Sequence, residues 1–506
     1  MKRKIPVTMA TQHPDNALMP DFLTSKKTIS TQDEIEESFR MFSEFNVDEY
    51  MWDWEGKFAD EAVIDKLLRH YFDYFKKQQL GKDKFLTFRI PNIWQEKGYR
   101  LARAFMSILT AEDFTNDLKL HSPPIFEIIL PMTTSHKQML HVQDLFQKTA
   151  QYKKEVFHSK NKILENIEII PLFEEIDVMM NCTDILKKYL TIFQKTRKKP
   201  EYMRIFIARS DPALNAGLVP AVIASKVAIS KLRKFSIQEN IKIYPWLGAG
   251  SLPFRGGVNP ENYKNIVEEY CGLSSITIQS AFRYDYPFAK VKKAISYLNK
   301  HLGEANVQKN CLLFSNEDIK KINEINKIFE KIYQVTIEKI ADKINFMADY
   351  IPSRRERMLH IGLFGYSRGI GKVQLPRAIK FTGALYALGI PPEIIATGRG
   401  LKEIDKKGYL PFLKKIYLFL KEDLLHAGHY LNRENLEFLI QENKAWKEIK
   451  KDIEYIEKFL KISLGPTKTK HFIHRNLVST IYFKSLVKDD FKDELVEAAI
   501  IRKSLG

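Results

Sequence analysis

The stretch IIPLFEEID (169–177) decides the fold reading, because an apolar run of buried-strand length ends abruptly in carboxylates, first at Glu174. Some thirty residues on, IARSDPALNAG (207–217) repeats the pattern, passing from apolar residues to turn formers around Asp211. Ligands of α/β folds gather at the carboxyl ends of strands, and two hard oxygen donors there suit Mg²⁺ or Mn²⁺. Glu174 and Asp211 are therefore candidate metal ligands. The plainer role for either acid is to cap the helix that follows its strand.

Working outward, eight apolar runs end in turn signals: VDEYMWDWEG (47–56), FLTFRIPN (85–92), PIFEIILPM (124–132), EIIPLFE (168–174), MRIFIARSD (203–211), IKIYPWLGAG (241–250), ITIQSAFRYD (276–285) and IGLFGYSR (361–368). Amphipathic segments separate most of them; between the first two, Ile64, Leu67, Leu68, Tyr71, Phe72 and Phe75 recur at helical spacing. Eight strands alternating with helices predict an α/β fold, a TIM-type (β/α)₈ barrel with additional helices. A helical insertion at about 287–350 interrupts the rhythm before the eighth run, and the chain after Arg377 reads as helix without strands. The expected organisation is a catalytic barrel over 1–377 and a helical region over 378–506 packed on it. No solenoid repeat, low-complexity tract or Pro/Gly/Ser linker divides the chain.

The 506 residues, 44% hydrophobic and 12% aromatic, suffice for a large core. The N-terminus lacks the apolar segment of a secretory signal, and no stretch reaches the roughly 18 uncharged apolar residues of a membrane helix. A cytoplasmic protein is expected. Cys182, Cys271 and Cys311 lie far apart without C-x-x-C spacing, which predicts reduced, structural thiols rather than a disulfide or zinc site. With 80 basic and 62 acidic residues the chain carries a formal charge of +18. Many lysines fall on solvated faces, whereas several arginines end apolar runs, where an unpartnered charge is costly. That distribution favours a small anionic substrate over nucleic acid.

Three motifs bear on anion chemistry. TQHPDN (11–16) fixes His13 before a proline; a histidine there can act as general acid or base, or lie at the surface. GAGSLPFRGG (248–257) is a glycine-rich loop in which Gly256 and Gly257 permit close backbone approach and Arg255 can grip an oxyanion bidentately. It matches neither a Walker loop nor G-x-G-x-x-G. GYSRGIGKVQLPRAI (365–379) gathers Arg368, Lys372 and Arg377, which fit either a phosphate site or a charged helix face. Arg89, ending FRIPN, is a further substrate-binding candidate, while Arg283 fits a structural pair with Asp285.

Taken together, TQHPDN, PLFEE, ARSDPALNAG, GSLPFRGG, FGYSRG with LPRAI, and the terminal RKSLG resemble the archaeal-type phosphoenolpyruvate carboxylases over nearly the whole chain. The resemblance implies a barrel enzyme that uses Mg²⁺ or Mn²⁺ to convert phosphoenolpyruvate and bicarbonate into oxaloacetate and phosphate, an anaplerotic reaction. It assigns the metal to Glu174 and Asp211, the essential histidine to His13 and the essential loop arginine to Arg255. Arg89, Arg368, Lys372 and Arg377 correspond loosely to the cations that hold the substrate's phosphate and carboxylate. It further implies a cytoplasmic homotetramer, allosteric inhibition of the aspartate or malate kind, and a C-terminal tail folded back near the site. The chain departs from the larger enzymes at Leu247, Ala249 and Leu214, where they have histidine, arginine and lysine; Arg209 is a candidate substitute for that lysine. The alternatives are another metal-enolate barrel enzyme of the phosphoenolpyruvate mutase or isocitrate lyase type, a basic nucleic-acid-binding protein, and a non-catalytic scaffold.

Overall fold

The computed structural model describes residues 3–23, 25–55, 59–95, 98–157, 164–307, 309, 311–356 and 373–506, with the backbone of 368–370. Eight parallel strands close a barrel in chain order: β1 (Thr8–Ala10), β2 (Glu49–Asp53), β3 (Phe85–Arg89), β4 (Glu127–Leu130), β5 (Glu168–Phe173), β6 (Tyr202–Ala208), β7 (Lys242–Gly248) and β8 (Ser275–Ile278). Seven of them answer to the first seven apolar runs. The eighth differs: β1, in the segment leading to TQHPDN, closes the barrel by pairing Met9 with Glu49 of β2 and Thr8 with Ile276 of β8. The run expected as the last strand is not needed for closure. Residues 361–367 of that run lie outside the described residues, and Arg368–Ile370 forms a small antiparallel hairpin, β9, with Val373–Leu375, β10.

Strand alternation divides the core into two layers. Met9, Met51, Ile129, Ile170, Phe206 and Trp246 belong to an apolar cluster inside the barrel, where Phe206 stacks on Trp246 at 4.0 Å. The intervening residues, such as Ile207 and Leu247, join the much larger layer between barrel and helices. Toward the strands' N-terminal ends the lumen is polar. There Arg204, fully buried, donates to Glu49 at 2.6 Å and Glu127 at 3.0 Å and lies 4.7 Å over the Trp246 ring. The lower end is thus plugged, which leaves the C-terminal mouth for a site.

The insertion forms helices Phe288–His301, Glu304–Val307 and Asn316–Ala348; in the last, Ser315 and Asp318 make a reciprocal capping box. From Ala378 to Arg502 the chain is helical without a strand, and its last residues turn back into the barrel mouth, where the Leu505 amide donates to the Asp15 carbonyl at 2.8 Å. One expectation about the thiols is overturned. Cys271 and Cys311 form a disulfide, and only Cys182 is free, buried under the helices. Spacing along the chain could not reveal this pair, because the fold places their Cα atoms 5.7 Å apart across 40 residues of sequence.

Candidate active site

Glu174 directly follows β5 and is buried; Asp211 sits in the first turn of the helix Ser210–Ala216, just beyond β6. Phe173 and Ile207 are paired neighbours across these strands, so both carboxylates belong to adjacent positions on the same rim. Among the described residues, no group of three or more His, Cys, Asp or Glu side chains is arranged to hold a metal. A divalent ion at this rim would take the two carboxylates and complete its shell with substrate and water oxygens, a donor set that fits Mg²⁺ or Mn²⁺.

Arg255 lies at the end of a 3₁₀ turn, Pro253–Arg255, in the loop after β7. Gly256 follows at φ 120°, where an added Cβ would come within 2.4 Å of the Ala249 Cβ, and Gly257 at φ 72°. These two glycines fold the loop tightly enough to aim the arginine inward. The guanidinium is 1% exposed. It donates to the Gly506 carbonyl oxygen (2.6 Å), Gln279 Oε1 (2.6 Å), Asp15 Oδ2 (3.1 Å) and Ser210 Oγ (3.2 Å), and it is close enough to feel the charge of Asp211. Burial draws it below its ordinary pKa, with Asp15 opposing. Burial likewise lifts the Asp15 carboxyl, whose other oxygen accepts the Ala281 amide at 2.8 Å. His13, two residues before Asp15, is half-buried, with Nδ1 at 2.9 Å from Thr11 Oγ1.

Arg89 ends β3 on the same rim but is held differently. It makes a bidentate pair with Asp53, at 2.9 and 2.6 Å, and a third contact with Glu55 at 2.9 Å. Burial penalises its charge, yet Asp53 and Glu55 outweigh that and hold the guanidinium well above its ordinary pKa; Glu174 adds to the effect. Arg377 lies 3.7 Å from the other oxygen of Glu55. Lys372 lies outside the described residues, and Arg368 contributes only its place in β9.

The structure corrects the partner expected for Arg283, which pairs with Glu37 at 2.9 Å, while Asp285 instead accepts the Ala17 and Leu18 amides. Leu247 and Leu214 are buried in the layer outside the barrel, so neither departure from the larger enzymes places an apolar side chain in the lumen. Arg209 is fully buried, donating Nε–H to the Tyr270 hydroxyl at 2.9 Å. Sequence reasoning missed Asp15, Gln279, Asp53 and Glu55 as members of the rim. Asp53 and Glu55 offered the signal used for Glu174, an acid closing an apolar run, whereas Asp15 read as a turn former.

A buried arginine on a glycine loop, facing a rim of carboxylates at a barrel mouth, is a site for an anion handled with a cation. Residues 5–506 match the family model described as phosphoenolpyruvate carboxylase. The chain belongs to the phosphoenolpyruvate carboxylase family. The phosphoenolpyruvate carboxylase of Oenococcus oeni is 41% identical over 483 residues, covering 95% of this chain and 94% of that protein. That of Leuconostoc mesenteroides is 42% identical over 485 residues, covering 95% of each. The archaeal protein of Metallosphaera sedula, of the same name, is 38% identical over 527 residues and aligns over 100% of both chains. Among solved structures, the Haloferax volcanii malate synthase lead(II) complex overlaps with a TM-score of 0.37 at 8% identity, covering 90% of this chain and 99% of that one. For the carboxylase family the site's inventory is chemically coherent, since buried cations beside carboxylates suit a polyanionic substrate handled with a metal. No helix among the described residues is long and apolar enough to cross a membrane.

Proposed function

We propose that this protein carboxylates phosphoenolpyruvate with bicarbonate, giving oxaloacetate and phosphate. The observation that carries the reading is the buried Arg255, fixed between Asp15, Gln279 and the Gly506 carbonyl beside Asp211. Its guanidinium is a preorganised anion holder shielded from water, where electrostatic stabilisation is strongest.

In this reading bicarbonate attacks the phosphoryl group, the bond between phosphorus and the enol oxygen breaks with its electron pair left on that oxygen, and carboxyphosphate forms beside the pyruvate enolate. Arg255 holds the anionic oxygens in place, with Arg377 and the cations of 368–372 as further candidates. His13 removes the carboxyl proton of carboxyphosphate, which promotes release of CO₂ and phosphate; the enolate carbon then attacks CO₂. A divalent Mg²⁺ or Mn²⁺ on Glu174 and Asp211 would supply Lewis-acid stabilisation of phosphoryl and enolate oxygens. Arg89, committed to Asp53 and Glu55, serves this site by fixing the rim beside Glu174. Gly506, buried against Arg255, helps hold that guanidinium in the mouth. The barrel over 1–377 and the helical region over 378–506 thus contribute jointly to one site. A cytoplasmic homotetramer in an anaplerotic role, under dicarboxylate inhibition, completes the reading.

The test is oxaloacetate formation from phosphoenolpyruvate and Mg²⁺, coupled to malate dehydrogenase, with bicarbonate supplied and then removed. Oxaloacetate should require bicarbonate, and H13N should lower kcat by about 10²–10⁴-fold, the usual contribution of a general base. Pyruvate in place of oxaloacetate, or turnover indifferent to bicarbonate, would move the assignment to the mutase and lyase type.

A further inference from the structure

Behind the glycine loop lies a buried carboxyl that the proposed chemistry does not use. Glu393 belongs to the segment after the helix Ala378–Ala387 and is fully buried. Its Oε1 accepts two hydrogen bonds, from the Phe254 amide at 2.8 Å and from the Tyr386 hydroxyl at 2.9 Å. Its Oε2 is buried with no hydrogen-bond partner among the described residues. The Thr397 hydroxyl, donating to the Glu393 carbonyl at 2.7 Å, anchors its backbone.

Phe254 is the residue immediately before Arg255. Several of the loop's other backbone bonds are internal, such as the Gly250 amide to the Arg255 carbonyl at 2.8 Å and the Gly257 amide to the Leu252 carbonyl at 2.9 Å, while at its start the Ala249 amide donates to Thr277 Oγ1 at 2.9 Å. The internal bonds give the loop its shape, Thr277 holds its start, and the Arg255 side chain has its own partners on the rim. Phe254 is fastened from outside: its amide by Glu393 and its ring, fully buried, by stacking on Phe381 at 5.8 Å. Both partners come from the helical region beyond the barrel. A buried amide without an acceptor is costly, so removing Glu393 would let this part of the loop seek another arrangement.

We propose that Glu393 is a positioning residue: its carboxyl oxygen holds the Phe254 amide and thereby sets the Arg255 guanidinium against the reacting anion. The inference rests on the carboxylase reading, because it assigns Glu393 a part in the work of Arg255. What the position requires is an acceptor, not a charge. Burial raises the Glu393 carboxyl to about 7, so near neutrality a large fraction of it is the neutral acid, and either form accepts both bonds through Oε1.

The experiment compares E393Q, E393L and Y386F in the full chain, with kcat and KM measured for each, and E393L repeated in an R255K background. E393Q keeps an acceptor and should retain kcat within about threefold, as should Y386F, which leaves the Phe254 bond intact. E393L should lose about 30–100-fold in kcat, the scale on which small misplacement of a catalytic group acts. In R255K the same change should cost less than about threefold, because the pair acts as a unit. An equal loss of E393L in both backgrounds, or a fall of E393Q as deep as that of E393L, overturns the proposal. Hydrogen exchange gives a readout independent of turnover: E393L should speed exchange at 250–257 and leave the barrel strands unchanged. Unaltered exchange at the loop, or acceleration throughout the fold, overturns it as well. A wild type without bicarbonate-dependent turnover would defeat the carboxylase reading and leave the exchange result to judge Glu393.

Discussion

Arg255 and Arg89 bring the same charge to one rim, but their partners give them different work. Arg89 faces two carboxylates that match its fork, whereas Arg255 meets the Asp15 carboxylate, an amide oxygen, a hydroxyl and the backbone oxygen of Gly506. An anion joining the second set would take the one N–H that these partners leave or displace one of them. The buried acid behind the loop adds a pH dependence at this scale. Glu393 has its folded pKa raised from 4.5 to about 7, so the folded state binds its proton more tightly than the unfolded chain. Ionising it therefore costs stability, by nothing below about pH 4.5 and by the full amount above about pH 7. E393Q removes this titration. Relative to wild type, the variant should gain on the order of 3 kcal/mol between pH 5 and pH 8, on top of a pH-independent offset from its unpartnered amide nitrogen. Urea unfolding at both values measures it, and a difference that stays constant with pH would refute the assignment. Nothing in IPPEIIATG (390–398) marked Glu393 as special: an acid among apolar residues gains meaning only once Phe254 is seen against it.

At the scale of elements, seven strands were legible because each is long enough to show an apolar run with a polar end. β1 was not, since three residues carry no periodicity and the segment earns its place only through partners on both sides, β2 and β8. Periodicity was equally silent on the last element of the site, which only the resemblance to the family pointed to as a tail folded back near the site. RKSLG (502–506) has no pattern, yet the Arg502 guanidinium donates to the Leu505 carbonyl at 2.9 Å, the Ser504 hydroxyl donates to the Asp15 carbonyl at 3.2 Å, and Gly506 reaches Arg255. Only glycine fits at that end, because an added Cβ at 506 would stand 2.0 Å from the Ile379 carbonyl oxygen and 2.6 Å from the Gly383 amide. Both are backbone atoms of one helix and cannot yield cheaply. G506A should therefore displace the tail, lowering kcat by at least about tenfold as Arg255 loses its 2.6 Å partner. Full activity in G506A would show that the tail's contact with Arg255 is incidental to turnover.

For the whole molecule, the disulfide is the feature that chain spacing concealed most completely. Cys271 follows Tyr270, whose hydroxyl accepts from Arg209, and Cys311 begins the segment leading to the long helix Asn316–Ala348. The bridge therefore ties the insertion to the turn that leads into β8. Closing a loop over a separation of 40 residues restricts the unfolded chain, and the chain-entropy relation puts the stabilisation at about 4 kcal/mol. Under oxidising conditions a denatured chain should show one reactive thiol, from Cys182, and after reduction three. Burial lifts the Cys182 thiol to about 12, so in the native protein it should resist alkylation at neutral pH. C271S and reductant should each lower unfolding stability by up to about 4 kcal/mol, and reductant should do nothing further to C271S. If reductant leaves the wild type unchanged while three thiols are counted, the bridge contributes no stability and the insertion is held by its apolar face alone. If three thiols react in the oxidised, denatured protein, the cysteines are reduced in solution and the original expectation from their spacing stands.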